Sequence, residues 1–349
     1  MESVASPHVF KRSHAIAAVI AAALVVYANT LWNGFAYDDV WIIQRNDRVH
    51  QLADLGRIWL TPYWPSFGTQ LGLYRPFAIF AFAIEWAISG GAPWFFHLVN
   101  VLLHAGVSVL AYLLIERLFS ARAAFAGALI FAIHPLHTEA VANVVGQNEL
   151  WAALGVLGAC LIYVSRPAGV RIDWKRAVAI FVLFILALLA KESAVVLPGL
   201  LVLLDFVQRR VVAKKEAAEN TTEAALPVSY IRGSVLFFLG FVVLFGGYLA
   251  LRYNVLGNLT GTDAAPGLPH LREQYRVLNA FRAWPEFIRL AFFPIDLSVD
   301  YSPATILPAE SISPMILLGM LLVVTTVLLI LATPYAPRAG LAAGWFLIT

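Results

Sequence analysis

The sequence predicts an all-α, polytopic membrane protein, and three observations carry that reading. Of the 349 residues 60% are hydrophobic and only 13% charged, and apolar stretches of helix length recur along the chain, more than a water-soluble domain can bury. The 24 Lys and Arg, which leave a net charge of +3, sit in short clusters between apolar runs. That pattern orients membrane helices and does not form a nucleic-acid-binding surface. The single cysteine, Cys160, lies inside an apolar run, so it cannot form an intrachain disulfide and reads as a small core hydrophobe.

Taken in order, the runs 15–32, 94–116, 148–165, 176–190, 194–208, 233–251 and 312–333 predict spans. Shorter ones at 122–134 and 339–349 bring the expectation to about nine transmembrane helices. The first run follows Lys11, Arg12 and His14, is long enough to span, ends at Trp32 and has no small-x-small cleavage site. It therefore reads as a helix rather than a signal peptide. The chain stops inside an apolar segment that begins near Leu341, so 1–349 is expected to be one membrane domain, truncated at its C-terminus.

The segment 77–90 is short for a span and carries Glu85 at its middle. If it lies in the interface, the clusters Arg117/Arg122, Arg166/Arg171/Lys175/Arg176, Arg209/Arg210/Lys214/Lys215 and Arg338 all share the side of Lys11 and Arg12. If it crosses, the N-terminus opposes them all. The interfacial reading predicts a cytoplasmic N-terminus, a first external loop at 33–93, small external loops at 134–147 and 191–193, and a late one at 252–311. Arg272, Arg276, Arg282 and Arg289, interleaved with Tyr275 and Trp284, predict a second interfacial helix in that last loop. The polar stretch 212–226 reads as a cytoplasmic linker. Sequons start at Asn220 and Asn258, and the topology places only the second outside.

This topology gathers the chemically capable side chains on the non-cytoplasmic face. Asp38 and Asp39, just beyond the first helix, offer a general base or a metal ligand, or else an N-cap pair for a helix at 40–45. His134-Pro135-Leu136-His137-Thr138-Glu139 lacks the HExxH zinc pattern, and Pro135 breaks the helical presentation that pattern needs. These residues suit a phosphate site, or simply interfacial His with Glu139 capping the next helix. Lys191-Glu192 and Tyr74-Arg75-Pro76 offer an ammonium and a forked guanidinium to a phosphate, or serve as interfacial anchors. His97, Asn100 and His104 fall on one helix face and read as interhelical hydrogen-bonding groups. Asp300 and Arg252 lie on the same outer side late in the chain.

In their order, Gly34-Phe35-Ala36-Tyr37-Asp38-Asp39, Tyr74-Arg75-Pro76, His97 to His104, His134 to Val141, Lys191-Glu192 and Leu297-Ser298-Val299-Asp300-Tyr301 resemble the transmembrane and tetratricopeptide-repeat O-mannosyltransferase family and its bacterial relatives, within the C-type membrane glycosyltransferases. The resemblance implies transfer of a sugar, with inversion, from a polyprenyl-phosphate-linked donor to a hydroxyl, on protein or another acceptor, at the periplasmic or lumenal face. By the same resemblance Asp38 is the catalytic base, supported by Asp39, and Glu139 orients His137 or the acceptor. Arg75, His137 and Lys191 bind the donor phosphate, with His134, Glu192 and Asp300 in support. Gln147 stands where relatives often carry a basic residue, which weakens a phosphate role there. The cofactor is left open, with a divalent cation as the candidate. The competing reading is a non-catalytic transporter or flippase of lipid-linked sugars, which should instead carry ionisable groups near the membrane midplane.

Overall fold

A computed structural model of the chain describes residues 11–65, 72–218, 228–259, 273–295, 297–298, 301, 308–309 and 311–349. Asp300, Arg272, the sequon at Asn220 and the Thr260 of the second sequon lie outside the described residues. Among the described residues all regular structure is helical and there is no strand.

The first helix, α1 (Arg12–Tyr27), continues as a 3-10 turn to Trp32. Two short helices, α2 (Asp47–His50) and α3 (Leu55–Ile58), precede α4 (Pro76–Ser89). Proline opens α4 at a position where its missing N–H costs nothing, and Gly90 ends it at a left-handed φ of 63°. Then follow α5 (Pro93–Leu118), α6 (Ala121–Ile133), α7 (Thr138–Ala142), α8 (Gln147–Val164) and α9 (Trp174–Ala190). The Ser120 and Asp173 side chains cap α6 and α9 by accepting backbone N–H groups. The remainder is α10 (Leu197–Ala218), α11 (Val228–Leu256), α12 (Glu273–Phe292), α13 (Pro314–Leu331) and α14 (Pro337–Ile348). α10 runs through the first part of the expected linker at 212–226, because Ala, Lys and Glu after Val212 all favour helix.

Among the described residues five helices are long and apolar enough to cross a membrane: Arg12–Trp32, Pro93–Leu118, Val144–Val164, Tyr230–Leu256 and Pro314–Leu331. A sixth is gained if Ala121–Ile133 and Pro135–Ala142, bent by 47° at the expected Pro135 break, form one broken span. The difference from about nine has physical causes. α9 has 17 residues and α14 only 12, while α10 carries a charged C-terminal half.

Ion pairs and ring contacts fix which helix ends lie together. Arg12 at the start of α1 pairs with Glu116 near the end of α5 at 3.0 Å. At the other end Tyr27 meets His104 edge-on at 5.1 Å, and Phe35, just beyond α1, meets Phe96 in the first turn of α5 at 5.3 Å. α5 thus begins at the end where α1 finishes. α8 leaves that same end, since Gln147 donates to Asn100, and reaches the far end, where Arg166 pairs with Asp205 of α10. α9 returns, and α11 runs from Tyr230, bonded to Asp205, back to Arg252. The core between α8, α9, α10 and α11 is aromatic, with Tyr163, Phe181, Phe184, Phe237 and Phe241 stacked or edge-on. Cys160 is buried within it, as expected of a small hydrophobe.

Candidate active site

The end of the bundle where α1 finishes holds a cavity of ≈ 420 Å³, lined by Asp38, Arg75, His137, Glu139, Glu149 and Lys191, with Tyr63, Asn143 and Asn148 between them. Five residues singled out from sequence therefore share one space, although they come from segments scattered between positions 38 and 191. Arg75 opens α4 within this cavity, while the far end of α4 runs within a few residues into α5, which starts at this same end. Both ends of α4 thus lie at one end of the bundle.

The two adjacent acids point in different directions. Tyr37, immediately before them, has φ 47°, the only positive φ at a non-glycine among the described residues, a conformation that costs energy and tends to persist at functional sites. The turn leaves Asp38 exposed at the cavity and Asp39 buried, at 1% exposure. Asp39 does not cap the π-helical turn Val40–Gln44 that follows it. Its carboxylate accepts instead from the backbone N–H of Val145 at 2.8 Å, of Ala36 at 3.2 Å and of Val144 at 3.4 Å. The capping alternative therefore gives way to a latch between the first loop and the start of α8. Burial pushes the Asp39 carboxyl up to about 6, against those three amides, and the neighbouring Asp38 adds to the rise. Asp38 is also raised by partial burial, while the Arg75 guanidinium pulls it back.

Arg75 is held by a forked pair with Glu192, at 2.6 and 3.0 Å, and lies 5.3 Å over the Tyr63 ring. Burial opposes both charges, but the fork outweighs it, so the Glu192 carboxyl sits below and the Arg75 guanidinium above its ordinary range. Tyr63 is itself fixed by Asn148, whose amide donates to its hydroxyl at 2.9 Å. Lys191 pairs with Glu149. Burial and the nearby Arg75 lower the Lys191 ammonium, with Glu192 and Glu139 pulling the other way. His137 faces the cavity from beyond the end of α6. Burial, with His104 and His134 beside it, pushes its imidazole down to about 3, so it meets a ligand as a neutral ring.

His134 is not in the cavity wall. Its Nδ1 accepts from Leu136 N–H and its Nε2 lies 3.1 Å from the Ala291 carbonyl of α12. Asp39 and Glu192 also stand behind the wall rather than in it. Asn100 ties α5 to the carbonyls of Val141, Asn143 and Val144, and His104 meets the Ala132 carbonyl at 2.9 Å, as expected of interhelical hydrogen-bonding groups. Gln147 is buried, donates to Asn100 and accepts from Trp151, so it serves packing. Gly146 is required because a Cβ there would stand 2.5 Å from the Glu139 carbonyl oxygen. Among the described residues no group of three His, Cys, Asp or Glu is arranged to hold a metal ion.

A second cavity of ≈ 290 Å³ adjoins the first across Leu136, Glu139 and Asn143. It is more apolar, with Ala36, Tyr37, Pro135, Leu297 and Tyr301 in its walls. Glu139 thus stands between a charged and a greasy chamber. Sequence reading missed Glu149, Tyr63 and Asn148. The signal available for Glu149 was a carboxylate at the start of a span, at the end that holds Lys191.

Fold and site together define a multi-pass helical membrane protein with paired acidic and cationic side chains facing one another at one end of its bundle. Residues 75–230 match the family described as dolichyl-phosphate-mannose-protein mannosyltransferase. Relatives include protein O-mannosyl-transferase TMTC3 of Mus musculus, 35% identical over 199 residues, which are 55% of this chain and 21% of the relative. Tmtc2 of Drosophila melanogaster is 38% identical over 185 residues, 50% of this chain and 19% of its own. TMTC4 of Homo sapiens is 30% identical over 277 residues, 69% of this chain and 36% of its own. The chain is similar to TMTC-type and PMT-like mannosyltransferases, and spans about a fifth of the length of the first two relatives. No solved structure matches it.

Proposed function

We propose that the chain forms the catalytic membrane part of a transferase that moves a sugar, mannose by analogy with its relatives, from a polyprenyl-phosphate carrier to a protein hydroxyl. The observation that carries this reading is Asp38, exposed at a cavity that also holds Arg75 and Lys191. Base and cations are separate groups in one space, as displacement of a phosphate from a sugar requires.

In this reading Asp38 takes the proton of the acceptor hydroxyl as its oxygen attacks the anomeric carbon. The carbon–oxygen bond to the phosphate breaks from the opposite side, so the configuration inverts, and the bonding pair leaves on the polyprenyl phosphate. The partial burial that raises the Asp38 carboxyl makes it a better base, provided it remains ionised. Arg75 and Lys191 balance the charge that grows on the leaving phosphate, and Glu192 holds the Arg75 fork in place. Neutral His137 gives a hydrogen bond rather than a charge. Glu139 orients His137 or the acceptor from the boundary between the chambers, and the apolar chamber takes the first units of the carrier lipid.

The shared end of the bundle is read as the non-cytoplasmic face, with the N-terminus cytoplasmic and α4 and α12 lying in the interface. Supporting this, Arg12, Arg117, Arg122, Arg166 and Arg209 belong to the opposite helix ends, as a cytoplasmic side requires. Incubation of the purified chain with polyprenyl-phosphate mannose and a Ser/Thr peptide tests the reading. Mannosylated peptide is expected. Transfer from a nucleotide-linked mannose with none from the lipid-linked donor contradicts it.

A further inference from the structure

The first loop contains a second polar cavity, of ≈ 440 Å³, which shares only Trp64 with the catalytic one. Three arginines, Arg45, Arg48 and Arg57, stand in its wall against one carboxylate, Asp47, so the lining is cationic by about two charges. Among the described residues no ion pair involves any of the three arginines. Arg48 is saturated by neutral oxygens. It donates to Asn46 Oδ1 at 3.0 Å, to Thr61 Oγ1 and the Pro62 carbonyl at 2.6 Å, and to the Tyr63 carbonyl at 3.1 Å. Burial and the proximity of Arg57 depress its guanidinium to about 10.

A protein gains nothing for its own stability by holding like charges together on a half-buried arginine, so the cluster favours an anion from outside. The surroundings say which kind. Trp41, under Arg45 at 4.9 Å, and Leu52 and Leu60 nearby in sequence are exposed, at 39%, 45% and 72%. A soluble anion has no use for an exposed apolar ring against the arginine that would bind it, whereas a lipid lays its acyl region beside one.

We infer that this cavity is a binding site for the phosphate headgroup of an anionic membrane lipid, distinct from the sugar donor. Arg45 and Arg57, both exposed, grip the phosphate. Arg48, locked to the loop, sets the shape of the floor and adds a fixed positive charge. Trp41, against Arg45, meets the acyl region. Because the pocket shares Trp64 with the catalytic cavity, an occupied headgroup site also steadies one wall of the chamber around Asp38.

The test uses the full chain in nanodiscs of phosphatidylcholine with and without phosphatidylglycerol, read by native mass spectrometry after release into detergent. Retention of phosphatidylglycerol in preference to phosphatidylcholine is expected. The double variant Arg45→Gln/Arg57→Gln should lose about tenfold of that preference, the equivalent of one good charged contact. Arg122→Gln, a change of exposed charge at the opposite end, should keep it. Arg48 is left intact because its four partners make it part of the fold. Equal preference in the double variant and the parent overturns the proposal. So does binding of inorganic phosphate or an acidic peptide as tight as that of the lipid and lost in the same variant, since it assigns the pocket to a soluble anion or to an acceptor.

Discussion

The carboxylate of Asp39 accepts the backbone N–H of Val145 at 2.8 Å across 106 positions of sequence. Two adjacent acids thereby divide their work. Asp39 closes the loop after α1 onto the start of α8, and in doing so it turns Asp38 outward into the cavity beside Arg75.

The two positions should therefore separate in stability. Asp39→Ala strips the acceptor from three amides, those of buried Val144, half-buried Val145 and exposed Ala36. It should cost about 1–3 kcal/mol in thermal unfolding of the detergent-solubilised chain. Asp38→Ala removes an exposed group and should stay within about 0.5 kcal/mol of the parent. Equal losses would show that the latch contributes nothing of its own.

Asp39 also predicts a pH dependence. The fold holds its proton more tightly than the unfolded chain, with the carboxyl at about 6 rather than 3.8. The protonated form is thus the stabilising one. Its contribution is complete below 3.8 and is lost as pH rises through about 6. Relative to Asp39→Asn, which cannot titrate, the parent should lose melting temperature across that window. Parallel curves for parent and variant would contradict it.

The Arg75–Glu192 fork predicts that Arg75→Lys is not conservative. An ammonium cannot hold both Glu192 oxygens and still present a planar edge to a phosphate. Donor binding, measured by titration with polyprenyl-phosphate mannose, should weaken about tenfold. Glu192→Gln should produce much of the same loss, and the double variant should fall short of the sum, because the residues act as one unit.

At the opposite end Asp205 holds Arg166 at 2.6 Å, Arg209 at 3.0 Å and the Tyr230 hydroxyl at 2.6 Å. Arg166 is 4% exposed, so Asp205→Asn leaves a buried cation without its counter-charge. A loss of about 3–5 kcal/mol is expected, with donor affinity unchanged in the folded fraction. A shift in donor affinity without loss of stability would mean that this cluster reports on the active end.

Much of this was legible in the sequence because hydropathy and charge act over whole segments. Five of the seven full-length runs, the break at Pro135 and the grouping of Asp38, Arg75, His137, Glu139 and Lys191 follow from run length, the proline itself and the placement of basic clusters. Three features were not legible. The positive φ of Tyr37, which splits the roles of Asp38 and Asp39, has no glycine to announce it. The inward turn of His134 depends on the Ala291 carbonyl far along the chain. Glu149 becomes part of the site only when α9 brings Lys191 back beside α8. Pairing of that kind is set by helix packing, which periodicity does not encode. The count of spans suffered for the related reason that α9, α10 and α14 are too short or too charged to qualify by length and apolarity.

The central claim is that Asp38 is the base of a sugar transfer. Its most direct measurement is the rate of mannose transfer from polyprenyl-phosphate mannose by Asp38→Asn, in preparations whose melting temperature matches the parent. The account predicts a fall of about a hundredfold to ten-thousandfold with donor binding retained. A rate within about twofold of the parent contradicts it, since general-base catalysis on this scale cannot be removed unnoticed.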